Sequence, residues 1–226
     1  MDSMESTFWH ECWEKSHIGF HQDELQPLMV KYLPDLIRPS DKRVFVPLCG
    51  KTSDLLFLAE RFDVVGNELS DIACQDFFTD NHLSADVSVE NAFKCYQSKP
   101  HHNPHKHNIS IYQGDFFELC PQQLASFDWI YDRAAIIALP KAMRERYVEH
   151  LKNFIGDGTR LFLLTLEYPV DELSGPPFSV TENEINELFA EFSIKKLSQR
   201  DLSGQKFARR NLNVSSLIET LFLIER

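Results

Sequence analysis

Three observations in this sequence of 226 residues predict an α/β fold, a mostly parallel sheet with helices on both faces. Val44 to Lys51 reads VFVPLCGK, a short apolar run broken at Gly50 and followed by a helical pattern. Val64 to Ser70 reads VVGNELS, a second strand that ends on Glu68. From Val44 onward, strand-like and helix-like segments alternate, which is how a Rossmann-like, doubly wound sheet reads in sequence.

The elements follow in order. Phe8, Trp9, Cys12 and Trp13 recur at helical spacing, so an amphipathic helix opens the chain, with Ile18-Gly19-Phe20-His21 as the turn after it. A second helix spans 25–36, and residues 1–40 together form an N-terminal helical lid region. Next come strand 44–48, helix 53–61, strand 63–68, helix 71–82, strand 109–113 and strand 127–132. Helix 141–154, strand 160–167, helix 181–191, strand 193–199 and a last strand over 217–224 complete the set. That makes seven strands. The final two follow each other without a clear helix between them, which predicts one antiparallel edge strand.

Segment 84–108 breaks the alternation. Lys99 to His107 reads KPHHNPHKH, too polar and too proline-broken for a core, so the segment is expected to be a surface insertion. Histidine-rich tracts can bind transition metals, but no Cys or acid nearby completes a ligand set here, so no metal is expected.

Composition narrows the class of protein. A hydrophobic fraction of 43% with 25% charged residues suits a single domain over 1–226, and a net charge of −11 argues against nucleic acid or an anionic membrane surface as partner. The five cysteines are odd in number and lack CxxC spacing, which suggests neither a disulfide framework nor a zinc site and fits a reducing cytoplasm. No leader-like segment opens the sequence, and no apolar run approaches the ~20 residues of a membrane helix. A cytoplasmic monomer acting on a small molecule is expected.

The strand ends suggest which small molecule. An acid at the end of the second strand suits a ribose, because one carboxylate can accept hydrogen bonds from both hydroxyls. A dinucleotide fingerprint needs three glycines close to a pyrophosphate, and this turn has only Gly50. The phosphate loop GxxxxGK[ST] also fails, since Phe45 stands where its first glycine belongs. S-adenosylmethionine, a nucleoside with a sulfonium and no phosphate, is the best candidate, with a dinucleotide or no ligand as the alternatives.

Ligands of open parallel sheets bind beyond the carboxyl ends of the strands, so the candidate residues come from there. After the first strand, Leu48 is placed to lie along the ligand and Gly50 lets the backbone turn close to it; core packing is the rival role for Leu48 and Cys49. Glu68 is assigned to the ribose, against a helix-capping role. Gly114-Asp115-Phe116-Phe117 offers an acid for an adenine amino group and a ring to cover it, or else a turn with two core phenylalanines. Asp132-Arg133 ends the fourth strand, where Arg133 suits an anionic ligand or substrate, or a structural network with Asp132. Trp9, Trp13 and Phe20, and Phe178 in Gly175-Pro176-Pro177-Phe178, form either pocket walls or core. His21 is the best placed histidine, and neither an acid/base dyad nor a nucleophile triad is evident.

Taken together, FWHECW (Phe8 to Trp13), IGFHQ (Ile18 to Gln22), VFVPLCGK, VVGNELS, GDFF, YDRAAIIALP (Tyr131 to Pro140) and GPPFSV (Gly175 to Val180) resemble the thiopurine S-methyltransferase family, in the family's order over nearly the whole length. The resemblance implies the class I methyltransferase fold, S-adenosylmethionine as donor and S-adenosylhomocysteine as product. It implies donor contacts from Trp13, Leu48, Glu68 and Arg133, with Asp115 and Phe116 around the adenine, and Phe20 lining the acceptor pocket. Arg133 is the residue expected to stabilise an anionic acceptor, and Arg209 or Arg210 to match a basic acceptor-side residue. Asn67 departs from the pattern, standing where the family usually has an apolar residue, and the His-rich stretch is peculiar to this chain.

The function so implied is methyl transfer to the sulfur of aromatic or heterocyclic thiols such as thiopurines. Rival readings are a methyltransferase of the same fold acting on selenium or tellurium species or small alkyl thiols, a nicotinamide-dependent oxidoreductase, and a non-catalytic nucleoside-binding module.

Overall fold

The structure is a computed structural model that describes residues 6–99 and 105–226. His101 and His102 of the histidine-rich tract lie outside the described residues. The chain divides into two compact units, Met1–Ala125 and Ser126–Arg226.

The first unit opens with α1 (Ser6–Glu14) and α2 (Pro27–Leu36), followed by β1 (Arg43–Val46), α3 (Asp54–Leu58), β2 (Asp63–Glu68), α4 (Asp71–Asp80), β3 (Ala85–Glu90), β4 (Phe93–Ser98) and β5 (Ile109–Gln113). Local chemistry accounts for the helix starts. Gln26 caps α2 by accepting from Leu28 N, and Pro27, which has no N–H to satisfy, takes the first helical position. Ser70 Oγ accepts from Ala73 N at the head of α4. The strands run in the order β3-β4-β5-β2-β1. β1, β2 and β5 are parallel, whereas β4 is antiparallel to both β3 and β5. Val44, Phe45 and Val46 of β1 are all buried, as befits a strand with helices on both faces.

β3 and β4 correct the expectation of an insertion over 84–108. Much of that segment is a hairpin that extends the sheet. β3 is exposed along nearly its whole length, whereas β4 buries Phe93, Cys95, Tyr96 and Ser98. Backbone pairing, β3 to β4 and β4 to β5, places these strands in the sheet, and a reading based on polarity passes over them.

The second unit comprises β6 (Trp129–Asp132), α5 (Lys141–Lys152), β7 (Arg160–Glu167), α6 (Glu182–Leu188), β8 (Ser193–Asp201), a short hairpin of β9 (Lys206–Phe207) with β10 (Arg210–Asn211), and β11 (Ile218–Glu225). Its sheet order is β6-β7-β11-β8. β6 and β7 are parallel, and β11 is antiparallel to β7 and to β8. The expected antiparallel edge pairing is present: β8 is the edge and pairs antiparallel with β11, which lies one place in. Among the described residues, five sheet strands in the first unit and four in the second, besides the separate β9-β10 hairpin, replace the expected seven.

Among the described residues, no helix is long and apolar enough to cross a membrane.

Candidate active site

The first unit gathers most of the predicted residues at the carboxyl ends of β1, β2 and β5. Past β1 the backbone turns twice through the left-handed region, at Leu48 (φ 47°) and Gly50 (φ 55°). A non-glycine residue held there is strained, and such strain clusters where a binding site dictates the backbone. The turn leaves Leu48 half-exposed and aims the Gly50 N–H at Glu68.

Glu68 is the anchor. It is buried at 6% exposure, Oε2 accepts from Gly50 N and Oε1 from Ser70 N, both at 2.8 Å. Burial pushes its pKa above the ordinary value of 4.5, and those backbone N–H groups pull against the shift. With one bond on each oxygen, the carboxylate keeps further lone pairs on both for a vicinal diol. Glu68 does not cap α4 itself, since Ser70 is the N-cap residue, but its bond from Ser70 N holds the cap in place.

Trp13 is 5% exposed and closes over this turn, since a Cβ at Gly50 would sit 3.5 Å from Trp13 Cζ2. Phe20 packs edge-on against Trp13 and Trp9, with ring centroids 5.7 and 5.5 Å apart. The N-terminal aromatics thus form one cluster against the glycine turn, with Phe20 half-exposed.

The turn after β5 is bound to the end of β2, where Gly114 N donates to Glu68 O at 2.9 Å. Asp115 is exposed, and its Oδ1 caps the following turn at Phe117 N. Phe116, at 2% exposure, stacks on Phe45 inside the core, so Phe117 is the partly exposed ring of this turn. Cys49 and Cys74 flank the anchor, and burial first, then the charge of Glu68, pushes both thiols well up, which keeps them neutral and unreactive.

The second unit carries Arg133 and Phe178. Asp132 ends β6 fully buried, accepting from Tyr147 Oη at 2.7 Å and from Ile136 N at 3.2 Å. Burial pushes its pKa up to about 6, against those hydrogen bonds. Arg133 next to it is partly exposed, and Ala134 follows in the left-handed region (φ 67°). Phe178 N donates to Ile137 O, which ties the proline loop to this segment, while Tyr168 Oη donates to Pro177 O at 2.6 Å and Arg210 Nη1 to Pro176 O at 3.1 Å. A Cβ on Gly175 would lie 2.5 Å from Phe178 Cδ1, so only glycine lets the ring lie where it does.

Sequence reasoning missed several groups that shape these sites. Tyr147 completes Asp132 from a helix fifteen residues on, at a position that reads only as one more apolar-face residue. Lys51 bonds Asp80 and Asp76 at 2.8 and 3.0 Å, fastening the glycine turn to α4. Burial works against its ammonium, but the two carboxylates more than offset it and the pKa rises. The sequence signal was Lys51 following Gly50, read there only as a failed phosphate loop.

His21 Nε2 lies 3.7 Å from Asp23 Oδ1, and His105 and His107 face Glu60 and Asp63 at 2.7 and 3.7 Å. Among the described residues there is no group of three His, Cys, Asp or Glu side chains able to hold a metal.

The fold is that of S-adenosylmethionine-dependent methyltransferases. One of that class from Anabaena variabilis matches with a TM-score of 0.63 at 17% identity, over 98% of this chain and 94% of its own. The 1,6-didemethyltoxoflavin-N1-methyltransferase of Burkholderia thailandensis, solved with S-adenosylhomocysteine bound, matches at 0.63 and 12%, over 98% and 87%. Relatives at higher identity are thiopurine S-methyltransferases of Shewanella sp. strain MR-4, 40% identical over 99% of this chain and 100% of that protein, and of Pseudomonas fluorescens strain Pf0-1, 40% over 98% and 99%. The sequence model of thiopurine S-methyltransferase matches residues 4–226.

The chain belongs to the thiopurine S-methyltransferase family, and it is an enzyme whose methyl donor is S-adenosylmethionine. The first unit fits that group, with a buried acid that has acceptor capacity on both oxygens, a glycine turn against it, and an exposed acid at the β5 turn.

Proposed function

We propose that this enzyme methylates the sulfur of an aromatic or heterocyclic thiol, thiopurines being the model acceptors. The supporting observation is full-length membership of a family whose curated relatives, 40% identical, are named for that reaction. Bound S-adenosylmethionine supplies an electrophilic methyl group on a sulfonium sulfur. The thiolate sulfur attacks that carbon in line, so the new C–S bond forms as the sulfonium C–S bond breaks, and the thiol proton has already passed to solvent. No protein nucleophile is consumed, and positioning with exclusion of water does most of the work. Heterocyclic thiols ionise more readily than alkyl thiols, so the reaction does not call for a strong general base.

In this reading Glu68 accepts from the ribose hydroxyls, Leu48, Gly50 and Trp13 line the donor, and Asp115 accepts from the adenine amino group. The Phe116 position contributes to the adenine side as the core support of that turn. Within the first unit Phe20 is read as an acceptor-side residue, and within the second unit Phe178 is read as a wall residue and Arg133 as the group that suits an anionic ligand. The resemblance to the family implies the donor roles of Trp13, Leu48, Glu68, Arg133, Asp115 and Phe116, and the Glu68 geometry supports the ribose role.

The test is transfer of a labelled methyl group from S-adenosylmethionine to 6-mercaptopurine by purified protein, with Glu68→Ala as control. Transfer that the variant loses is expected. Transfer to selenite, tellurite or an alkyl thiol but not to 6-mercaptopurine would overturn the aromatic-thiol assignment.

A further inference from the structure

Asn67 lies beside the donor anchor, and none of the donor contacts assigned above uses it. It immediately precedes Glu68 at the end of β2 and is wholly buried. Its Nδ2 donates to Tyr112 O at 2.9 Å and to Gly114 O at 3.2 Å, while Oδ1 is buried without a partner. A buried amide oxygen lacking a donor is unfavourable, and an apolar side chain of similar volume would avoid that. Only the two Nδ2 bonds offset it, so what they hold is the question.

They hold the carbonyls that lead into the Asp115 turn. Gly114 has no Cβ, and its backbone at φ 154° is restrained by few steric limits of its own, so the path from β5 to Asp115 needs an outside tie. Three further features build that tie: Gly114 N donates to Glu68 O at 2.9 Å, Gln113 Nε2 donates to Leu69 O at 2.8 Å, and the Phe93 ring fills the space where a Gly114 side chain would go. Besides the backbone ladder between β2 and β5, residues 112–114 are thereby stitched to residues 67–69 by four further hydrogen bonds. On one side of the stitch stands the Glu68 carboxylate and on the other the Asp115 turn.

We propose that Asn67 is a positioning residue for the methyl donor, fixing the spacing between the ribose acid Glu68 and the adenine-side turn at Asp115. The proposal rests on the donor reading of those two acids and deepens it. Asn67 couples two recognition elements without touching the ligand, so it governs donor affinity and leaves the transfer step alone. Because neither Nδ2 acceptor belongs to the acceptor pocket, the acceptor KM is independent of it.

The experiment is calorimetric titration with S-adenosylhomocysteine of the wild type, Asn67→Leu, Asn67→Asp, Asp115→Ala and the Asn67→Leu/Asp115→Ala double variant. Steady-state kinetics and thermal unfolding are measured on each. Losing the two bonds is expected to raise the dissociation constant roughly 5- to 10-fold in Asn67→Leu and Asn67→Asp. At saturating donor kcat stays within about twofold, and Asn67→Leu, which also removes the orphaned oxygen, keeps its unfolding temperature. Asp115→Ala should cost less in the Asn67→Leu background than in the wild type, because the turn is no longer held in register; a purely structural role would leave the two effects additive. Unchanged donor affinity, additive effects, or a fall in kcat at constant affinity would each overturn the proposal. Wild-type protein that binds no S-adenosylhomocysteine would instead overturn the donor reading, and the Asn67 proposal with it.

Discussion

Replacing Glu68 tests the donor site most directly. Its carboxylate faces two fixed backbone donors, Gly50 N and Ser70 N, each 2.8 Å away. Glutamine preserves the shape but keeps only one acceptor oxygen, so its NH2 group must face one of those N–H groups, donor against donor. Alanine leaves both without their acceptor. Hydrogen bonds to a charged acceptor contribute about 1.5 to 3 kcal/mol, so Glu68→Ala should weaken binding of S-adenosylhomocysteine by roughly 10- to 150-fold. The assay is calorimetric titration, with circular dichroism to establish that the variant is folded. The pH dependence gives a second readout. Burial raises the Glu68 pKa, and the ionised form is the better acceptor for a diol, so wild-type affinity should fall as pH drops through that raised value. The Glu68→Gln variant should lack this fall. A folded Glu68→Ala variant whose affinity stays within about twofold of wild type would refute the ribose role.

Other perturbations follow from the same geometry. The folded pKa of Asp132, about 6 against 3.8, means that the group favours the folded state when protonated at low pH. That contribution is lost as pH rises through about 6, a difference of about 3 kcal/mol. Denaturant unfolding between about pH 4 and pH 8 should therefore show Asp132→Asn gaining on wild type as pH rises. Tyr147→Phe removes the 2.7 Å bond to the same carboxylate and should cost about 1–3 kcal/mol in unfolding free energy, while raising the Asp132 pKa further, as followed by NMR titration. Gly50→Ala forces an L side chain to φ 55° at a cost of about 1–2 kcal/mol, with Trp13 3.5 Å away from the new Cβ; a lower unfolding temperature and several-fold weaker donor binding are expected. Gly175→Ala would push the Phe178 ring, 2.5 Å from its Cβ, out of place and should raise acceptor KM several-fold while donor affinity by calorimetry holds.

Much of the fold is legible in the sequence because its strands are short apolar runs punctuated by helices. Segments 63–68, 109–113 and 160–167 coincide with β2, β5 and β7: β7 is buried along nearly its whole apolar run, and β2 and β5 carry shorter apolar stretches at Val64-Val65 and Ile109 to Ile111. β3 is missed because an edge strand owes its place to backbone pairing, and AlaAspValSerValGlu carries no buried face to announce it. The position of β11 is not legible for a related reason, since an apolar run does not say which neighbours it will choose. At the candidate site, the meeting of Glu68 and Gly50 at neighbouring strand ends is legible because both follow apolar strand runs of a parallel sheet. What lies behind them is not. Tyr147 beneath Asp132, Asp76 and Asp80 behind Lys51, and the Asn67 bonds to β5 all join residues far apart in sequence, and no local pattern encodes such a meeting.

The place of β11 has a consequence for how the chain acquires its structure. Both strands that flank Ile218–Glu225 precede it in the sequence, so β7 and β8 emerge from the ribosome before the strand that separates them exists. Until it arrives, each presents an open backbone edge, and β7 is one of the most apolar strands of the unit, a surface prone to pairing with other chains. Lesions that unsettle β11 should thus reduce the yield of soluble protein during synthesis far more than they reduce the stability of molecules already folded.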